Sequence, residues 1–198
     1  NEPGLEDSIV IGRYVLPGSW VDQIYNGDYQ EVAQWLTDLY VAEAGYHPRV
    51  DAWCGQNEPD WTAHWQRAID FEIYFTQLMH AQGLQTVVLN MAVGTPGDMD
   101  RILDCKQLFE ICDYYGHHVY GGPADQLMVL PYDEGWNQED PYLYALRARN
   151  YAQMYKDRGW RFPPVVYTEG TTYGGWHNNW PTAAQVRDSG SCAAPWKG

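Results

Sequence analysis

The chain has 198 residues, enough for one domain with a hydrophobic core, and it carries a formal net charge of −14 from 26 acidic and 12 basic side chains. Such an excess of negative charge argues against nucleic acid and anionic membranes as partners, because their phosphates would repel it. No apolar run approaches the roughly 18 residues of a membrane span, so we expect a single globular domain over residues 1–198 that does not cross a membrane.

Short β-branched and aromatic runs alternate with longer segments in which apolar residues have helical spacing. The predicted strands are residues 9–16, 50–54, 86–91, 113–121 and 165–170. The predicted helices are residues 28–44, 61–82, 98–111 and 141–158. Strand and helix, repeated four times and followed by a fifth strand, indicate an α/β fold with a parallel sheet and right-handed crossover connections.

Aspartate and glycine residues mark the ends of these helices. Asp28 and Asp98 are predicted N-caps, and Gly45 and Gly83 are predicted stops. In the first predicted helix, the residues expected on the buried face are Val32, Trp35, Leu36 and Leu39. The connection over residues 121–140 is long for a compact domain and rich in Gly, Pro and Tyr, which is typical of a functional loop.

The stretch Cys54-Gly55-Gln56-Asn57-Glu58-Pro59-Asp60 joins the second predicted strand to its helix. A residue that precedes proline is disfavoured in the α region, so Glu58 is predicted to be extended at the strand end, with its side chain pointing off the strand. The tripeptide also occurs in ordinary loops. It recurs as Asn1-Glu2-Pro3, where no strand precedes it, so Glu2 is not a candidate. Taken alone, Glu58 is therefore a weak candidate for a catalytic carboxyl group.

A second carboxyl group ends the fifth predicted strand, in Val165-Val166-Tyr167-Thr168-Glu169-Gly170, 111 positions after Glu58. One unit of an eight-stranded βα barrel takes about 31 residues, so this separation holds about three units. Glu169 would then end the third strand after the strand that Glu58 follows. Between the two glutamates, His118 and Tyr120 alternate onto one face of the fourth predicted strand.

In these three segments the sequence resembles the retaining glycoside hydrolases of clan A, which include cellulases, mannanases and β-glycosidases. Asn57-Glu58-Pro59 is similar to the family's acid/base motif at the end of strand four, and Thr168-Glu169-Gly170 to its nucleophile motif at the end of strand seven. The run that contains His118 and Tyr120 is similar to its strand six. The resemblance implies a (β/α)8 TIM barrel, with Glu58 as the acid/base residue and Glu169 as the nucleophile.

The same resemblance assigns roles to neighbouring side chains. Asn57 would bind the 2-hydroxyl group of the sugar in the cleaved subsite, and Tyr120 would donate a hydrogen bond that keeps Glu169 anionic. His118 would point into the mouth of the barrel, the alternative being a core histidine bonded to backbone. His117 faces the other way and is predicted to be structural.

Aromatic side chains are abundant, with 10 Trp and 16 Tyr. They fit either the packed interior and helix layer of a barrel or the exposed rings on which a sugar-binding cleft stacks pyranose faces. The candidate stacking residues are Trp61, Trp136, Trp176 and Trp180. A neutral carbohydrate substrate is also compatible with the negative charge. We recognise no Ser-His-Asp order, phosphate-binding loop or metal-ligand cluster, so no cofactor and no metal are expected.

The four cysteines, at positions 54, 105, 112 and 192, show no Cys-x-x-Cys spacing, so a zinc site is not indicated. Cys105 and Cys112 are seven residues apart on a predicted helix and its exit, where they could share a face, and Cys54 lies in a predicted strand. We expect buried thiols at these positions. Cys192, in a tail of small residues, is the residue that we expect in any disulfide.

By the resemblance, the five predicted strands correspond to strands three to seven of the barrel. Strands one, two and eight have no recognisable counterpart, nor do the family's strand-two arginine and strand-eight tryptophan. We therefore predict a partial barrel of about five units, which is inactive alone or depends on additional polypeptide at its two edges. The alternative is a barrel closed by residues 1–8 and 181–198. The alternative function is a non-catalytic glycan-binding or structural protein derived from a glycosidase barrel.

Overall fold

The computed structural model describes residues 9–92, 95–120 and 147–171, and for residues 119–120 and 169–171 it describes the backbone. Five parallel strands form one sheet, in which each strand pairs with its neighbours in chain order. The strands are β1 (Ile11–Gly12), β2 (Ala52–Cys54), β3 (Gln85–Met91), β4 (Tyr114–Tyr120) and β5 (Val165–Thr171). The sheet is curled into half of a barrel, so that β1 and β5 line the same cavity. The predicted α/β class with a parallel sheet is confirmed.

Helices occupy the connections between the strands. They are α1 (Gly18–Asn26), α2 (Tyr29–Tyr46), α3 (Trp65–Ala81), α4 (Lys106–Ile111) and α5 (Arg147–Asp157), with a 3₁₀ helix (Met99–Cys105) directly before α4. The helix predicted over residues 141–158 is described only as α5. Among the helices of the described ranges, none combines the length and the apolar character that crossing a bilayer requires.

The predicted strand over residues 9–16 is wrong for most of its length. β1 holds only two residues, and α1, which was not predicted, begins at Gly18. Pro17 precedes this helix with a φ of −58°, and its carbonyl oxygen accepts hydrogen bonds from the amides of Trp20 (2.9 Å) and Val21 (3.2 Å). The fixed φ of proline suits the start of a helix, so Pro17 opens α1 as well as ending the extended segment.

Two of the predicted helix boundaries are confirmed and one is wrong. Asp28 caps α2, because its side chain accepts a hydrogen bond from the amide of Gln30 at 2.9 Å. Gly83 ends the helical segment before β3 with a φ of 73°, which favours glycine, and its amide donates to the carbonyl oxygen of His80. Gly45 is not a stop, since α2 continues one residue beyond it.

Aspartate side chains set the first turn of the two connections that follow β2 and β3. Asp60 accepts a hydrogen bond from the amide of Thr62 at 2.8 Å, and this turn delays the start of α3 to Trp65, four residues later than predicted. Asp98 is a cap as predicted, but it begins a 3₁₀ helix; its side chain accepts from the amide of Asp100 at 3.1 Å.

Two apolar clusters pack the helices against the sheet. The first joins α1, α2, α3 and β2 through Ile24, Val32, Ala33, Leu36, Tyr40, Trp53, Phe71, Phe75 and Met79. The second joins α3, β3, the 3₁₀ helix, α4, β4 and α5 through Trp65, Ile69, Val88, Leu89, Met91, Ile102, Cys105, Leu108, Phe109, Cys112, Tyr115, Ala148, Tyr151 and Tyr155. On the predicted face of α2, Val32 and Leu36 are fully buried, whereas Trp35 and Leu39 are partly buried.

The cysteines of the described ranges are buried thiols, as expected: Cys54, Cys105 and Cys112. Burial raises the pKa of Cys105 and raises that of Cys112 to about 12. Both therefore stay protonated at neutral pH and act as small apolar side chains of the second cluster. Cys192 lies outside the described residues.

Candidate active site

The two glutamates and the histidine that the sequence singled out lie at one edge of the sheet. Glu58 is in the loop that follows β2, His118 is near the end of β4, and Glu169 is in β5. Parallel strands end at the same edge, which is where the active sites of βα barrels are found. In the order of the sheet, β5 is the third strand after β2, as the spacing of the two glutamates predicted.

Glu58 and His118 are in direct contact: Oε1 of Glu58 lies 3.0 Å from Nδ1 of His118. The imidazole is fully buried, whereas the Glu58 side chain is 46% exposed. An ionised carboxylate only accepts hydrogen bonds, so the proton of this contact then lies on Nδ1; a protonated Glu58 donates to a bare Nδ1 instead. The contact suits both protonation states, which is what an acid/base residue needs.

The backbone of Glu58 is left-handed, with a φ of 48°, and the expectation of an extended residue before Pro59 is wrong. The chain turns here so that the Glu58 amide reaches the carbonyl oxygen of Asn90, 3.1 Å away, and a left-handed residue supplies that turn. Such a conformation costs a non-glycine residue about 1–3 kcal/mol and is found preferentially at functional sites.

The end of β3 carries a bulge beside this loop. The pairing of β3 with β4 shifts register between Val88 and Met91, and the two residues between them, Leu89 and Asn90, have φ values of 69° and 34°. Neither residue is glycine, so each stores strain of the same kind as Glu58. Three left-handed non-glycine residues thus lie in the loop after β2 and the bulge of β3, which meet at the site.

Asn90 uses this bulge to hold the loop that carries Glu58. Its Nδ2 donates to the carbonyl oxygen of Gln56 (3.3 Å), and its Oδ1 accepts from Sγ of Cys54 (3.5 Å). The side chain is fully buried, and a buried amide requires such partners. We did not single out Asn90 from the sequence, although an amide inside the apolar run of residues 86–91 was a usable signal.

Gly116, in β4, provides the space that Asn90 occupies. A Cβ at Gly116 would overlap Oδ1 of Asn90. Gly116→Ala should therefore displace the amide and lower the free energy of unfolding by about 1–3 kcal/mol, as overpacking of a tight core does. The matched control is Gly45→Ala in α2, where a Cβ meets no atom within 4 Å and alanine favours the helix. Urea unfolding measures both; equal stability of the two variants would contradict this packing.

Arg13, directly after β1, is a further site residue that we did not predict. Its guanidinium Nη1 donates to Oδ1 of Asn57 at 3.0 Å. Arginine only donates, so this bond identifies the oxygen of the amide and turns Nδ2 of Asn57 to the opposite side, where it can donate to a ligand. That orientation is compatible with the sugar-binding role implied for Asn57. A single arginine after a two-residue strand gave no signal in the sequence.

A cavity of about 330 Å³ lies inside the curled sheet, between its first and last strands. It is lined by Ile9, Ile11, Arg13, Cys54, Val166, Tyr167 and Thr168. This volume is at the lower end of the range of about 300–1,000 Å³ that is typical of small-molecule sites. Arg13 belongs both to this lining and to the contact with Asn57, so the cavity adjoins the loop that carries Glu58.

The backbone of Glu169 is the cross-strand neighbour of His118, because the register of β4 and β5 pairs their Cα atoms. The register shifts between His117 and His118, so that Thr168 is an additional residue on β5 at this point. Adjacent strands are about 4.8 Å apart, which puts the Glu169 backbone beside the residue that contacts Glu58. The Glu169 side chain lies outside the described residues.

The other predicted residues divide into packed ones and ones outside the described ranges. Trp61 is partly buried, packs against the second apolar cluster and lies beside Gly97. His117 is fully buried, with its Nδ1 3.0 Å from the Tyr115 hydroxyl group, as expected of a structural histidine. The side chain of Tyr120 and the residues Trp136, Trp176 and Trp180 lie outside the described residues.

Comparison with known proteins gives no match, either to a protein-family model or to a curated protein. In the part of the chain that the structure describes, no group of three or more His, Cys, Asp and Glu side chains is placed to hold a metal ion. Function must therefore be inferred from the residues at the sheet edge and from their geometry.

Proposed function

We propose that the chain is the catalytic part of a retaining β-glycoside hydrolase that acts through Glu58 and Glu169. The observation that carries the proposal is the 3.0 Å contact between Glu58 and His118, since the cross-strand neighbour of His118 is Glu169. Both glutamates thus belong to one edge of a parallel, half-barrel sheet, on strands that are three positions apart. The resemblance of the three motifs to clan A glycoside hydrolases supports the same assignment.

In the first step, Glu58 acts as the acid. It gives its proton to the glycosidic oxygen of the leaving group while the Glu169 carboxylate attacks the anomeric carbon from the other face and forms a glycosyl ester. In the second step, the Glu58 carboxylate takes a proton from water as that water attacks the anomeric carbon and releases Glu169. Two inversions retain the β configuration. This mechanism requires carboxyl groups about 5 to 5.5 Å apart, and we expect that separation for Glu58 and Glu169.

His118 and Arg13 act on the site through the residues they contact. His118 holds the Glu58 carboxyl group in one position in both protonation states, because its Nδ1 can donate or accept. Arg13 holds the Asn57 amide with Nδ2 available to donate to the 2-hydroxyl group of the sugar, a hydrogen bond that strengthens in the transition state. The substrate class that fits these groups is a neutral β-linked glycoside or polysaccharide.

We also propose that the half-barrel is part of an eight-stranded βα barrel. Within the described ranges, β1 pairs with β2 and β5 pairs with β4, so each has one paired edge there. Ile9, two residues before β1, and Tyr167, in β5, are about half exposed, at 48% and 47%. Further strands at the two edges would cover such apolar side chains and the open backbone groups. These strands would come from residues outside the described ranges or from additional polypeptide.

Trapping of the glycosyl ester tests the proposed function. A 2-deoxy-2-fluoro β-glycoside with a good leaving group makes the glycosyl ester accumulate. The fluorine slows both formation and hydrolysis of the ester, and the good leaving group restores the rate of formation only. We expect one of a panel of gluco, manno, galacto and xylo reagents to add one fluoroglycosyl group to the protein, on the peptide that contains Glu169. The protein should be purified from its own source, so that any polypeptide bound at β1 and β5 is retained. Intact mass and peptide mapping give the result.

Two variants control this experiment. Glu169→Gln should take up no label, whereas Glu58→Gln should still be labelled, because a good leaving group needs little protonation. A label on another residue would contradict the role of Glu169. A protein that binds glycans, hydrolyses no aryl β-glycoside and takes up no label would instead be the non-catalytic descendant of a barrel enzyme.

A further inference from the structure

Glu72 is a fully buried carboxyl group behind the candidate site, and the mechanism above does not use it. It lies on α3, among the apolar residues that this helix packs against the sheet. Its Oε1 accepts two backbone hydrogen bonds, from the amide of Gln56 at 2.7 Å and from the amide of Leu89 at 3.2 Å. These amides belong to two different connections, the loop after β2 and the bulge of β3.

The two backbone segments that Glu72 joins are the ones that hold Glu58. The Glu58 amide donates to the carbonyl oxygen of Asn90, one residue after Leu89. The Asn90 side chain in turn donates to the carbonyl oxygen of Gln56. Asn90 thus links the loop after β2 to the bulge of β3 and holds the Glu58 backbone between them. Oε1 of Glu72 binds the amides of both segments, at Gln56 and at Leu89.

Gly55 permits this approach of the helix to the loop. A Cβ at Gly55 would overlap the Glu72 carboxyl group, so any larger residue would push the carboxyl group away from the Gln56 amide. A buried carboxyl group pressed against backbone is costly to keep without a purpose, because burial removes its hydration. A leucine or methionine at this position would continue the apolar face of α3 without that cost.

We propose that Glu72 is a positioning residue for Glu58, which fixes the loop of residues 55–58 against the bulge of β3 from beneath the sheet edge. The proposal deepens the proposed function, because it takes Glu58 as the acid/base residue. It concerns the geometry of the loop, however, so it can be tested whether or not the protein hydrolyses glycosides.

The hydrogen bonds of Glu72 fit the neutral acid. Oε1 accepts both amides, as a carbonyl oxygen does, while the buried Oε2 has no hydrogen-bond partner among the described residues. An orphaned hydroxyl group is much less costly in the interior than an orphaned charged oxygen. Burial raises the pKa of Glu72 to about 8, and the two amide hydrogen bonds, which lower the pKa, only partly offset this effect. Glu72 is thus neutral over most of the physiological range.

The titratable groups that share electrostatic interactions with Glu72 are buried or, for Tyr25, partly buried, and all are neutral near pH 7. They are Tyr25 on α1, Tyr40 on α2, Cys105 in the 3₁₀ helix and Cys112 after α4, and burial raises the pKa of each. No neighbouring charge contributes to the shift of Glu72. Ionisation of Glu72 above pH 8 would therefore place a single uncompensated charge behind the loop and should loosen it.

Kinetics of two variants test the role against a structural control. Glu72→Ala removes the acceptor for both amides and should lower kcat by about 100-fold with little change in KM, since misplacement of a catalytic group by about 1 Å costs that much. Glu72→Gln keeps the acceptor oxygen and the shape, so its kcat should be close to that of the wild type. The part of the fall in activity that ionisation of Glu72 causes as pH rises through about 8 should be absent in this variant. Thr76→Val, one turn further along α3, removes a buried hydroxyl group that contacts Thr86 and should leave kcat unchanged.

A second measurement, hydrogen exchange, reports on the loop of residues 55–58 and the β3 bulge and does not depend on activity. In the native protein, hydrogen exchange at the amides of Gln56 and Leu89 should be slow in the wild type and in Glu72→Gln, and at least tenfold faster in Glu72→Ala. If these amides respond and no glycosidase activity exists in the wild type, the proposed function fails and the positioning role stands. An active wild type with the same kcat, pH profile and amide exchange in Glu72→Ala would overturn the positioning role alone.

Discussion

With azide present, Glu58→Ala should convert an activated aryl β-glycoside to the β-glycosyl azide, whereas Glu169→Ala should give the α-glycosyl azide. A good leaving group lets the first variant form the glycosyl ester without an acid. Water then attacks the ester slowly because no base takes its proton, whereas azide needs no base and attacks in its place. Attack on the ester gives net retention. In the second variant the nucleophile itself is missing, so azide attacks the anomeric carbon from the face that the Glu169 carboxylate would have used. This single displacement gives net inversion.

Without azide both variants should be severely impaired. Loss of the acid/base residue removes about 10²–10⁴-fold in rate on substrates with a poor leaving group, and loss of the nucleophile removes the double-displacement route altogether. Product anomers are assigned by proton NMR. The matched control is Glu2→Ala, which alters the same Asn-Glu-Pro tripeptide at positions 1–3 and should behave as the wild type. The same anomer from both glutamate variants would show that the two roles are wrongly assigned.

Glu72→Gln should be more stable than the wild type by several kcal/mol at pH 8, while the two proteins should converge in acid. Burial raises the pKa of Glu72 from 4.5 to about 8 in the folded protein, so the folded state keeps a proton that the unfolded state has released. As pH rises from about 4.5 to about 8, the free energy of unfolding of the wild type should therefore fall, by at most about 1.4 kcal/mol per pH unit for this group. Glutamine has no proton to lose and escapes this penalty.

Urea unfolding at about pH 5, 6.5 and 8 measures the difference. Glu110→Gln is the control, because Glu110 lies on the exposed side of α4, in a surface pair with Lys106, and this variant should follow the wild-type dependence on pH. Parallel curves for the wild type and Glu72→Gln would mean that the buried carboxyl group is already ionised at pH 5. Its second oxygen would then require a partner that the described residues do not provide.

The order of the strands could be predicted because it depends on local alternation along the chain. Each of the first four β-branched runs is followed by a helical segment long enough for a crossover, and this pattern indicates a parallel sheet. The first boundary failed because the extent of strand pairing depends on tertiary structure. Residues 9–16 look extended as far as Pro17, but pairing keeps only Ile11–Gly12 in the sheet, and α1, with 9 residues, is a short helix.

The position of Glu58 and Glu169 at the same edge of the sheet could be predicted from the strand ends, whereas the residues that support Glu58 and Asn57 could not. Arg13, Asn90 and Glu72 act through contacts with residues 16 to 44 positions away, which depend on how the chain packs in space. Glu72 did leave a trace in the sequence. It stands three or four residues from Ala68, Ile69, Phe75 and Thr76, on the face of α3 that is buried, and an acid in that register indicates a specific polar role.

The unequal exposure of Glu58 and His118 determines how the site exchanges protons with water. The imidazole is sealed in the interior, while nearly half of the carboxyl side chain is open to solvent. Glu58 can therefore exchange protons with water directly, whereas the imidazole of His118 has no direct contact with bulk water. In the proposed mechanism, a bound sugar that covers this exposed carboxyl group would therefore separate it from solvent until the product leaves.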